Sequence, residues 1–462
     1  MYHRGVLVGR APSPGLVPAL LVAGLGLAIR LALTFSIGVN PSFFDADAYH
    51  GLALAALRGA PVETLGHPPG YTWLVISIYV LFGVRPLAVY LFQDLLSALS
   101  VFLVAHAAGR RWGTRPALAA GFLMAVNAYL AVFPTILVSE TLATAGIAAM
   151  LWLLVPEFPR VSPSRLLLAA AVAGSLALVR TGFVLFVPAV ALLSLVPLLG
   201  PGPRRGLEAG RTAALALLVG LAAAVGPAVY RSRETGVVRI GTGLDSSRLW
   251  IGNNPKATGR YEPMPDEPAV GQPGIPDVET LDRVWRARAW DFILRRPWRQ
   301  LDLVPRRLSL LLATPKRDLV YLYAHGWAGE RPPAVLWGFL GWLVVSHALL
   351  LAGAVAGFLR TRDDAAVVAA GLLVLGCIAP YLVTFGDARY LQPAYPALAL
   401  AAGAAFAQGR APLPRSRRVL GWILGAMLAA NVVYDLSASL PALTVVAQRG
   451  GSALRPPYNF AR

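Results

Sequence analysis

Two carboxylates stand close together near the start of the chain, where acidic residues are scarce. Asp45 and Asp47 lie in the stretch Phe43-Phe44-Asp45-Ala46-Asp47-Ala48-Tyr49, a few residues after the first long apolar run. Only 23 of the 462 residues are Asp or Glu. Carboxylates suit proton transfer or cation binding. The alternative is that either acid caps a helix beginning near Ala48, because Asp is favoured at that position.

Four other ionisable side chains lie beside apolar runs. His67 stands next to Pro68-Pro69, Arg180 and Arg389 each end an apolar run, and Glu140 lies near the end of another. A guanidinium can hold two phosphate oxygens at once, which makes the arginines candidate phosphate ligands. Each residue also has a structural interpretation. His67 would pack against Tyr71, the arginines would snorkel, and Glu140 would neutralise Arg180.

The composition is that of a membrane protein. Hydrophobic residues make up 56 % of the chain and charged residues 14 %, against roughly 25 % charged in soluble domains. The net charge is +18, but the basic residues are scattered between apolar runs and form no patch for nucleic acid. The single cysteine, Cys377, excludes an intrachain disulfide or a cysteine-based metal site. We therefore predict an all-α integral membrane protein without a nucleic-acid partner.

Eleven apolar runs approach the ~20 residues needed to cross a bilayer. They lie at 16–38, 86–108, 115–133, 137–155, 165–179, 182–199, 212–230, 333–358, 364–385, 390–408 and 419–436. We predict a bundle of about 11 transmembrane helices.

The orientation rule decides whether a twelfth apolar segment, Pro69 to Gly83, spans the membrane. It has only 15 residues. If it lies in the interface, all short basic loops fall on the cytoplasmic side, as positive-inside requires. These loops contain Arg4 and Arg10; Arg110, Arg111 and Arg115; Arg160 and Arg165; Arg204, Arg205 and Arg211; Arg360 and Arg362; and Arg410, Arg415, Arg417 and Arg418. The acid pair then lies on the outer face.

Three regions follow from this topology. Residues 1–230 form an N-terminal transmembrane module whose first outer loop, 39–85, carries the acids and interfacial helices. Residues 231–331 form an outer segment, and residues 332–462 form C-terminal transmembrane helices with a short outer tail. Within the outer segment, Gly252-Asn253-Asn254-Pro255 indicates turns, and the Trp- and Arg-rich pattern of Glu279 to Arg296 predicts an interfacial helix.

Several motifs together resemble the polytopic C-type (GT-C) glycosyltransferases that use polyprenyl-phosphate sugar donors, the group that includes protein O-mannosyltransferases and aminoarabinose transferases. In chain order they are Asp45-x-x-x-Tyr49 with Ala53 and Gly59; His67-Pro68-Pro69-Gly70-Tyr71 with Leu81-Phe82-Gly83; Ser139-Glu140-Thr141; Leu178-Val179-Arg180; Gly252-Asn253-Asn254-Pro255 with Gly259-Arg260-Tyr261; and Arg389-Tyr390 with Pro393 and Pro396.

The resemblance implies a GT-C-like fold and an inverting transfer of a hexosyl or pentosyl group to an acceptor hydroxyl. It makes Asp45 the general base. Asp47 is the weaker catalytic candidate, and whether it positions the acceptor or a metal stays open. Two departures stand out: Ala46 replaces a frequent second acid, and Tyr395 lies where an acid often follows Arg-Tyr. The donor phosphate would contact His67, Arg180, Arg389 and Tyr390, supported by Tyr49, Glu140, Asn253 and Asn254.

Partners and location follow from the same resemblance. We expect a polyprenyl-phosphate-linked sugar as donor, a protein, lipid or polysaccharide as acceptor, and contact with membrane lipids. We expect a multi-pass protein of the bacterial plasma (inner) membrane with its active site on the outer face. Whether a cofactor is needed stays open: Asp45, Asp47, His50 and His67 offer oxygen and nitrogen ligands for a divalent ion, but without tight spacing.

Two other classes are compatible with the same composition. A transporter or lipid flippase would also carry charges inside many spans, although the long outer segment and the absence of paired inverted halves argue against it. A non-catalytic receptor or assembly factor would keep the fold and tolerate the loss of Asp45.

Sidedness gives the first testable prediction. A reporter fused after Arg111 is expected to lie in the cytoplasm, because the loop of Arg110, Arg111 and Arg115 obeys positive-inside only there. Paired alkaline phosphatase and fluorescent protein fusions at this point measure the sidedness, and fusions within the outer segment are the control. An external reporter after Arg111 would refute both the eleven-span count and the outer location of the acids.

Overall fold

The computed structural model describes most of the chain and, in the described part, only helices as regular structure. The described residues are 15–40, 45–60, 62, 67–193, 195, 205–235, 245–262, 270–272, 274–275, 277–324, 331–361, 363–407 and 414–449. The last part of the predicted outer tail, residues 450–462, and the N-terminal basic residues Arg4 and Arg10 lie outside these ranges. The predicted all-α class is confirmed.

Nine α-helices make up the described part of the first 193 residues. They are α1 (Leu16–Ile37), α2 (Asp45–Leu57), α3 (Pro69–Phe82), α4 (Pro86–Trp112), α5 (Thr114–Ala125), α6 (Ala128–Val132), α7 (Glu140–Leu154), α8 (Pro163–Ala177) and α9 (Phe186–Leu193).

Nine more α-helices follow in the described residues from 205 onward. They are α10 (Arg205–Thr235), α11 (Asp245–Gly252), α12 (Val278–Arg295), α13 (Trp298–Leu311), α14 (Lys316–Ala324), α15 (Pro333–Thr361), α16 (Ala365–Val383), α17 (Tyr395–Ala404) and α18 (Arg415–Arg449). A 3₁₀-helix, Ala388–Ala394, leads into α17.

Seven described helices are long and apolar enough to cross a membrane: α1, α4, α7 with its 3₁₀ extension, α10, α15, α16 and α18. Helices α5 and α6 are bent by 61° and make an eighth span if they are counted together. The remaining predicted segments correspond to α8, to Thr181–Leu193 and to α17, which are shorter. The multi-pass architecture is therefore confirmed, and the count of eleven stays a prediction.

Helix α3 coincides with the short apolar piece that the orientation rule assigns to the interface. Its 14 residues span about 21 Å at 1.5 Å per residue, which is shorter than the ~30 Å hydrocarbon core. Tyr71, Val75 and Ile78 are buried, whereas Leu81 and Phe82 at its end are exposed. The length and this one-sided burial support the interfacial interpretation.

Helix α17 forms the tightly packed centre of the bundle. After Tyr395 and Pro396 it consists only of alanine, leucine and glycine, and all ten of its residues are buried. It packs against α5 on one side and α15 on the other. Small side chains let helix backbones approach closely in membrane bundles. The 3₁₀-helix that carries Arg389 is therefore joined to the most constrained element of the bundle.

Arg307 on α13 ties the outer segment to the transmembrane helices. Its side chain is fully buried, and its guanidinium donates hydrogen bonds to the carbonyl oxygens of Leu382 (2.7 Å) and Gly252 (2.6 Å) and to Asn253 Oδ1 (3.1 Å). The two carbonyls belong to the C-terminal turns of α16 and α11. One arginine thus satisfies backbone acceptors at two helix ends, which otherwise lack intrahelical partners.

Gly252 permits the close approach between these two helix ends. A Cβ atom at this position would lie 1.9 Å from the carbonyl oxygen of Thr384. Backbone must move to relieve such a contact.

We predict that Gly252→Ala destabilises the protein by about 1–3 kcal/mol through overpacking. The midpoint of thermal unfolding in detergent measures the effect. Gly341→Ala is the matched control, because a Cβ there meets nothing within 4 Å and alanine is favoured over glycine in a helix by roughly 0.5–1 kcal/mol. Equal midpoints for Gly252→Ala and the unmodified protein would contradict the packing described here.

Candidate active site

Asp45 is the first residue of α2, and its carboxylate faces two basic side chains. Its Oδ2 accepts a hydrogen bond from Arg389 Nη2 at 2.6 Å, and its Oδ1 lies 3.6 Å from His67 Nε2. The side chain of Asp45 is 38 % exposed, so a small polar group can reach it. The predicted base and two predicted phosphate ligands meet here although they lie far apart in the sequence.

Helix α2 begins at Asp45, three residues before the predicted start near Ala48. Asp45 and Asp47 both lie in its first turn, where the helix dipole stabilises negative charge. Ala46 and Tyr49 are buried and, three residues apart, share one face. Asp47 is exposed and lies outside that face. The structure thus separates the two acids: Asp45 contacts Arg389, and Asp47 is on the surface.

The His67-Pro68-Pro69-Gly70-Tyr71 motif is fixed against the loop that leads to Arg180. Pro69 opens α3, as proline favours the first helical position. The Gly70 N–H donates a hydrogen bond to the Leu178 carbonyl at 2.8 Å, and a Cβ at Gly70 would lie 2.8 Å from the same oxygen. A glycine is needed for this approach, which brings His67 and Arg180 to the same end of the bundle.

Tyr49 packs against both His67 and Tyr71. The Tyr49 ring meets the His67 ring edge-on at 4.8 Å and the Tyr71 ring at 4.7 Å. The Tyr71 hydroxyl donates to Gln93 Oε1 at 2.8 Å, and Gln93 Nε2 donates to the Ile136 carbonyl at 2.8 Å. This chain of contacts holds the predicted supporting residue Tyr49 in place.

Glu140 is a buried carboxylate shared by two arginines. Its side chain is 0 % exposed, and Oε1 accepts hydrogen bonds from Arg180 Nη2 at 2.5 Å and from Arg389 Nε. Arg180 Nη1 also donates to the Tyr381 hydroxyl at 2.8 Å. Buried charges are tolerated when they are paired. Glu140 therefore joins Arg180 and Arg389, which the sequence predicts as two phosphate ligands.

Tyr390 packs beside the arginines. Its ring stacks on Tyr381 at 4.2 Å with an interplanar angle of 4°. The Arg180 guanidinium carbon lies 5.5 Å from the Tyr390 ring centroid, within the range of cation–π attraction. The predicted donor-binding residues Arg180, Arg389 and Tyr390 are thus adjacent.

The electrostatics of Asp45 are dominated by its two basic neighbours. Burial alone would raise the pKa of Asp45, but Arg389 and His67 outweigh that effect and hold the pKa well below its usual range. Burial, with Asp45 and Glu140 nearby, raises the pKa of Tyr49 far above that of a free phenol. Asp45 is therefore ionised and Tyr49 neutral at physiological pH.

Asn253 and Asn254 have the turn-forming contacts that their motif predicts. The Asn253 amide donates to the carbonyls of Leu249 (2.9 Å) and Val383 (2.7 Å). The Asn254 amide donates to the carbonyls of Trp250 and Ile251, and its Oδ1 accepts from the Lys256 N–H. Both side chains shape the end of α11, next to the C-terminal end of α16. Their part in substrate contact stays a prediction.

The described ranges contain no ligand cluster for a divalent metal: nowhere in them do three His, Cys, Asp or Glu side chains come together to hold an ion. His50 Nδ1 lies 2.8 Å from the Tyr79 hydroxyl, Asp47 is exposed, and Asp45 already faces a cation in Arg389. Of the four proposed ligands, only Asp45 and His67 are neighbours, and His50 and Asp47 have other surroundings.

Three residues around the candidate site were not predicted from the sequence: Tyr381, Arg307 and Asp318. Tyr381 lies inside an apolar run and gives no signal of its own. Arg307 is one of many arginines in the outer segment, and only its burial distinguishes it. Asp318 is buried and accepts a hydrogen bond from Tyr129. An acid directly after Lys316 and Arg317 was the one available signal.

One segment of the chain matches a known protein family. Residues 66–230 match the dolichyl-phosphate-mannose-protein mannosyltransferase family. The match confirms the predicted resemblance and the prediction of a membrane glycosyltransferase. His67, Glu140 and Arg180 lie inside the matched segment, and Asp45 and Arg389 lie outside it. No curated protein matches the chain.

The solved structures similar to this chain include two of low identity. The first is ArnT from Cupriavidus metallidurans bound to undecaprenyl phosphate, with 16 % identity, a TM-score of 0.41, and coverage of 84 % of this chain and 77 % of that chain. The second is the archaeal oligosaccharyltransferase AglB from Archaeoglobus fulgidus in complex with an inhibitory peptide and a dolichol-phosphate. It has 12 % identity, a TM-score of 0.43, and coverage of 95 % of this chain and 56 % of that chain.

Loss of the shared carboxylate is expected to destabilise the fold. Glu140→Gln leaves Arg180 and Arg389 buried without their common negative partner, a change that typically costs 3–5 kcal/mol, so we predict a loss of about this size. Thermal unfolding in detergent measures it.

Glu157→Gln is the matched control for this prediction. The Glu157 side chain is 34 % exposed and pairs with Arg110 and Arg165, where ion pairs contribute about 0–1 kcal/mol. A Glu140→Gln protein as stable as the Glu157→Gln protein would show that the shared carboxylate is not needed for the fold.

Proposed function

We propose that this protein transfers a hexosyl or pentosyl group from a polyprenyl-phosphate donor to an acceptor hydroxyl, with inversion, and that Asp45 is the general base. The observation that carries the proposal is the contact of Asp45 with Arg389, because it joins a carboxylate of the predicted first outer loop to a side chain of the type that binds phosphate. The family match of residues 66–230 supports the reaction class.

Arg389, Arg180 and His67 supply the groups that a lipid phosphate needs. Two guanidinium groups side by side can bind a phosphate through charge-assisted hydrogen bonds. Within the described residues, Arg180 Nε is buried and makes no hydrogen bond. It therefore keeps a donor for a phosphate oxygen. These cations would stabilise the negative charge that develops on the leaving phosphate.

The pairing of Asp45 with Arg389 affects its strength as a base. A carboxylate with a lowered pKa is a weak base, because proton affinity falls with pKa. A donor phosphate competes with Asp45 for the same guanidinium. Once the phosphate takes part of that interaction, the pKa of Asp45 rises toward its ordinary value. The donor would thus strengthen the base that activates the acceptor.

The proposed reaction is one in-line displacement. Asp45 takes the proton of the acceptor hydroxyl while the acceptor oxygen forms a bond to the anomeric carbon. The bond from that carbon to the phosphate oxygen breaks on the opposite side, and polyprenyl phosphate leaves with the electron pair. The configuration at the anomeric carbon is inverted, and the Asp45 proton passes to solvent afterwards.

The location follows from the charge distribution and the apolar helices. We propose that the site opens on the outer face of a bacterial plasma (inner) membrane, since the basic loops obey positive-inside in that orientation. A protein, lipid or polysaccharide hydroxyl of the cell envelope would be the acceptor. The partial exposure of the Asp45 side chain is compatible with all three.

Asp45→Asn is expected to lower the turnover number by about 10²–10⁴, the usual contribution of a general base. The donor dissociation constant should stay the same or fall, because the amide no longer competes for Arg389. Proteoliposomes with a polyprenyl-phosphate-linked sugar and envelope extract as acceptor source measure transfer, and equilibrium binding measures donor affinity. NMR of the product gives its anomeric configuration.

The exposed Asp291→Asn on α12 is the control, and it should leave both values unchanged. Transfer that survives Asp45→Asn would refute Asp45 as the base. A retained anomeric configuration would refute the single displacement. Lipid or solute translocation without any sugar transfer would favour a transporter or flippase instead.

A further inference from the structure

Three consecutive charged residues at the start of α14 each contact a different element around the site. Lys316 pairs with Asp435 on α18, Arg317 pairs with Asp387 before the 3₁₀-helix, and Asp318 accepts a hydrogen bond from Tyr129 on α6. We refer to Lys316, Arg317 and Asp318 as the clasp. No sequence motif predicted it.

The first contact joins α14 to the last long helix. Lys316 and Asp435 are only 9 % and 14 % exposed in their side chains. Nearby, Ser309 on α13 donates to Asn431 Oδ1 at 2.5 Å, and Asn431 Nδ2 donates to the Ser309 carbonyl at 3.0 Å. Paired charges and reciprocal amide bonds are directional. They set the position of α14 along α18 in a way that apolar contacts cannot.

The second contact leads directly to Arg389. Arg317 Nη1 lies 3.2 Å from Asp387 Oδ2. Asp387 Oδ1 accepts the Arg389 N–H at 3.0 Å, and the Asp387 carbonyl accepts the Tyr390 N–H at 3.0 Å. Asp387 is the N-cap of the 3₁₀-helix, so its orientation fixes the backbone from which Arg389 extends. Arg317 thus binds Oδ2, the carboxylate oxygen of Asp387 that does not accept the Arg389 N–H.

The third contact anchors the clasp in the bundle. Asp318 is 6 % exposed and Tyr129 is 3 % exposed, and the Tyr129 ring packs against Phe133 at 4.3 Å. Burial and the nearby Asp387 raise the pKa of Asp318 to about 7, whereas Arg389, Tyr129 and Arg317 act in the opposite direction. The carboxyl cannot leave its hydrogen bond with Tyr129 without leaving a buried polar group unpaired.

We propose that Lys316, Arg317 and Asp318 are positioning residues that hold Arg389 for the donor phosphate, so that the outer segment and α18 together set donor affinity. The inference rests on the proposed function of Arg389. It assigns the outer segment a role in donor binding through the cap residue Asp387 and without substrate contact of its own.

Arg317→Gln is the informative change, because the Arg317 side chain is 50 % exposed and its loss should be tolerated by the fold. We expect the donor KM to rise about tenfold, a coupling of ordinary size between sites. The turnover number at saturating donor and the acceptor KM should change less than about threefold, well below the coupling expected for the donor. Arg317→Lys keeps the charge and should restore most of the donor affinity.

A second measurement needs no enzymatic activity. Hydrogen–deuterium exchange of the peptide containing residues 386–394 should be faster in Arg317→Gln, because the Arg389 and Tyr390 amides both depend on Asp387. Arg288→Gln, which changes an exposed arginine of α12, is the control and should exchange like the unmodified protein.

Charge exchange tests the contact with α18. Lys316→Asp or Asp435→Lys alone should raise exchange in the same peptide, and the double variant with both changes should bring it back toward the unmodified rate. If either residue acted only through general stability, the double variant would exchange as fast as the single variants or faster.

The outcomes separate the two proposals. Unchanged exchange in both Arg317→Gln and Lys316→Asp would refute the clasp, whatever the enzyme activity. Faster exchange with an unchanged donor KM would refute its role in donor affinity. If the variants show faster exchange but the unmodified protein transfers no sugar, the contacts of the clasp are confirmed. The proposed function is then refuted, and with it the donor role of the clasp.

Discussion

The site depends on one buried carboxylate. Glu140 lies at the start of a membrane-spanning helix and is enclosed on every side, so its charge must be compensated locally. Arg180 and Arg389 provide the compensation, and each approaches from a different part of the chain. Because these two guanidinium groups are fixed on Glu140, they remain close enough to each other for a single phosphate. The same pairing limits how far either one can move.

Asp45 extends this arrangement toward the surface. Arg389 contacts Glu140 through Nε and Asp45 through Nη2, so one planar group links a structural acid to a candidate catalytic acid. The deeper acid is fully buried and the outer acid is 38 % exposed. This gradient gives the two carboxylates different tasks although their partner is the same. Glu140 keeps the arginine in place, and Asp45 is accessible to an incoming group.

Much of this architecture could be predicted from the sequence, because it depends on local patterns. Apolar runs gave the helices, the Trp- and Arg-rich pattern of 279–296 gave α12 almost to the residue, and motif order indicated Asp45, His67 and Arg389. The sequence could not give the pairs that join distant positions. Arg180 meets Tyr381 across 201 residues and Arg307 meets Leu382 across 75. Polar contacts of this kind carry no periodicity, so only packing selects them.

The length of α18 explains how the end of the chain can affect a site built mostly from other helices. Its 35 residues extend about 52 Å at 1.5 Å per residue, whereas the hydrocarbon core is ~30 Å thick. If its basic start lies at the cytoplasmic surface, its second half continues past the core and stands beside the outer segment. Asn431 and Asp435 lie near the level at which α18 would leave the core, and both bond to that segment. In that orientation, these contacts join α18 to the outer segment close to the far edge of the core.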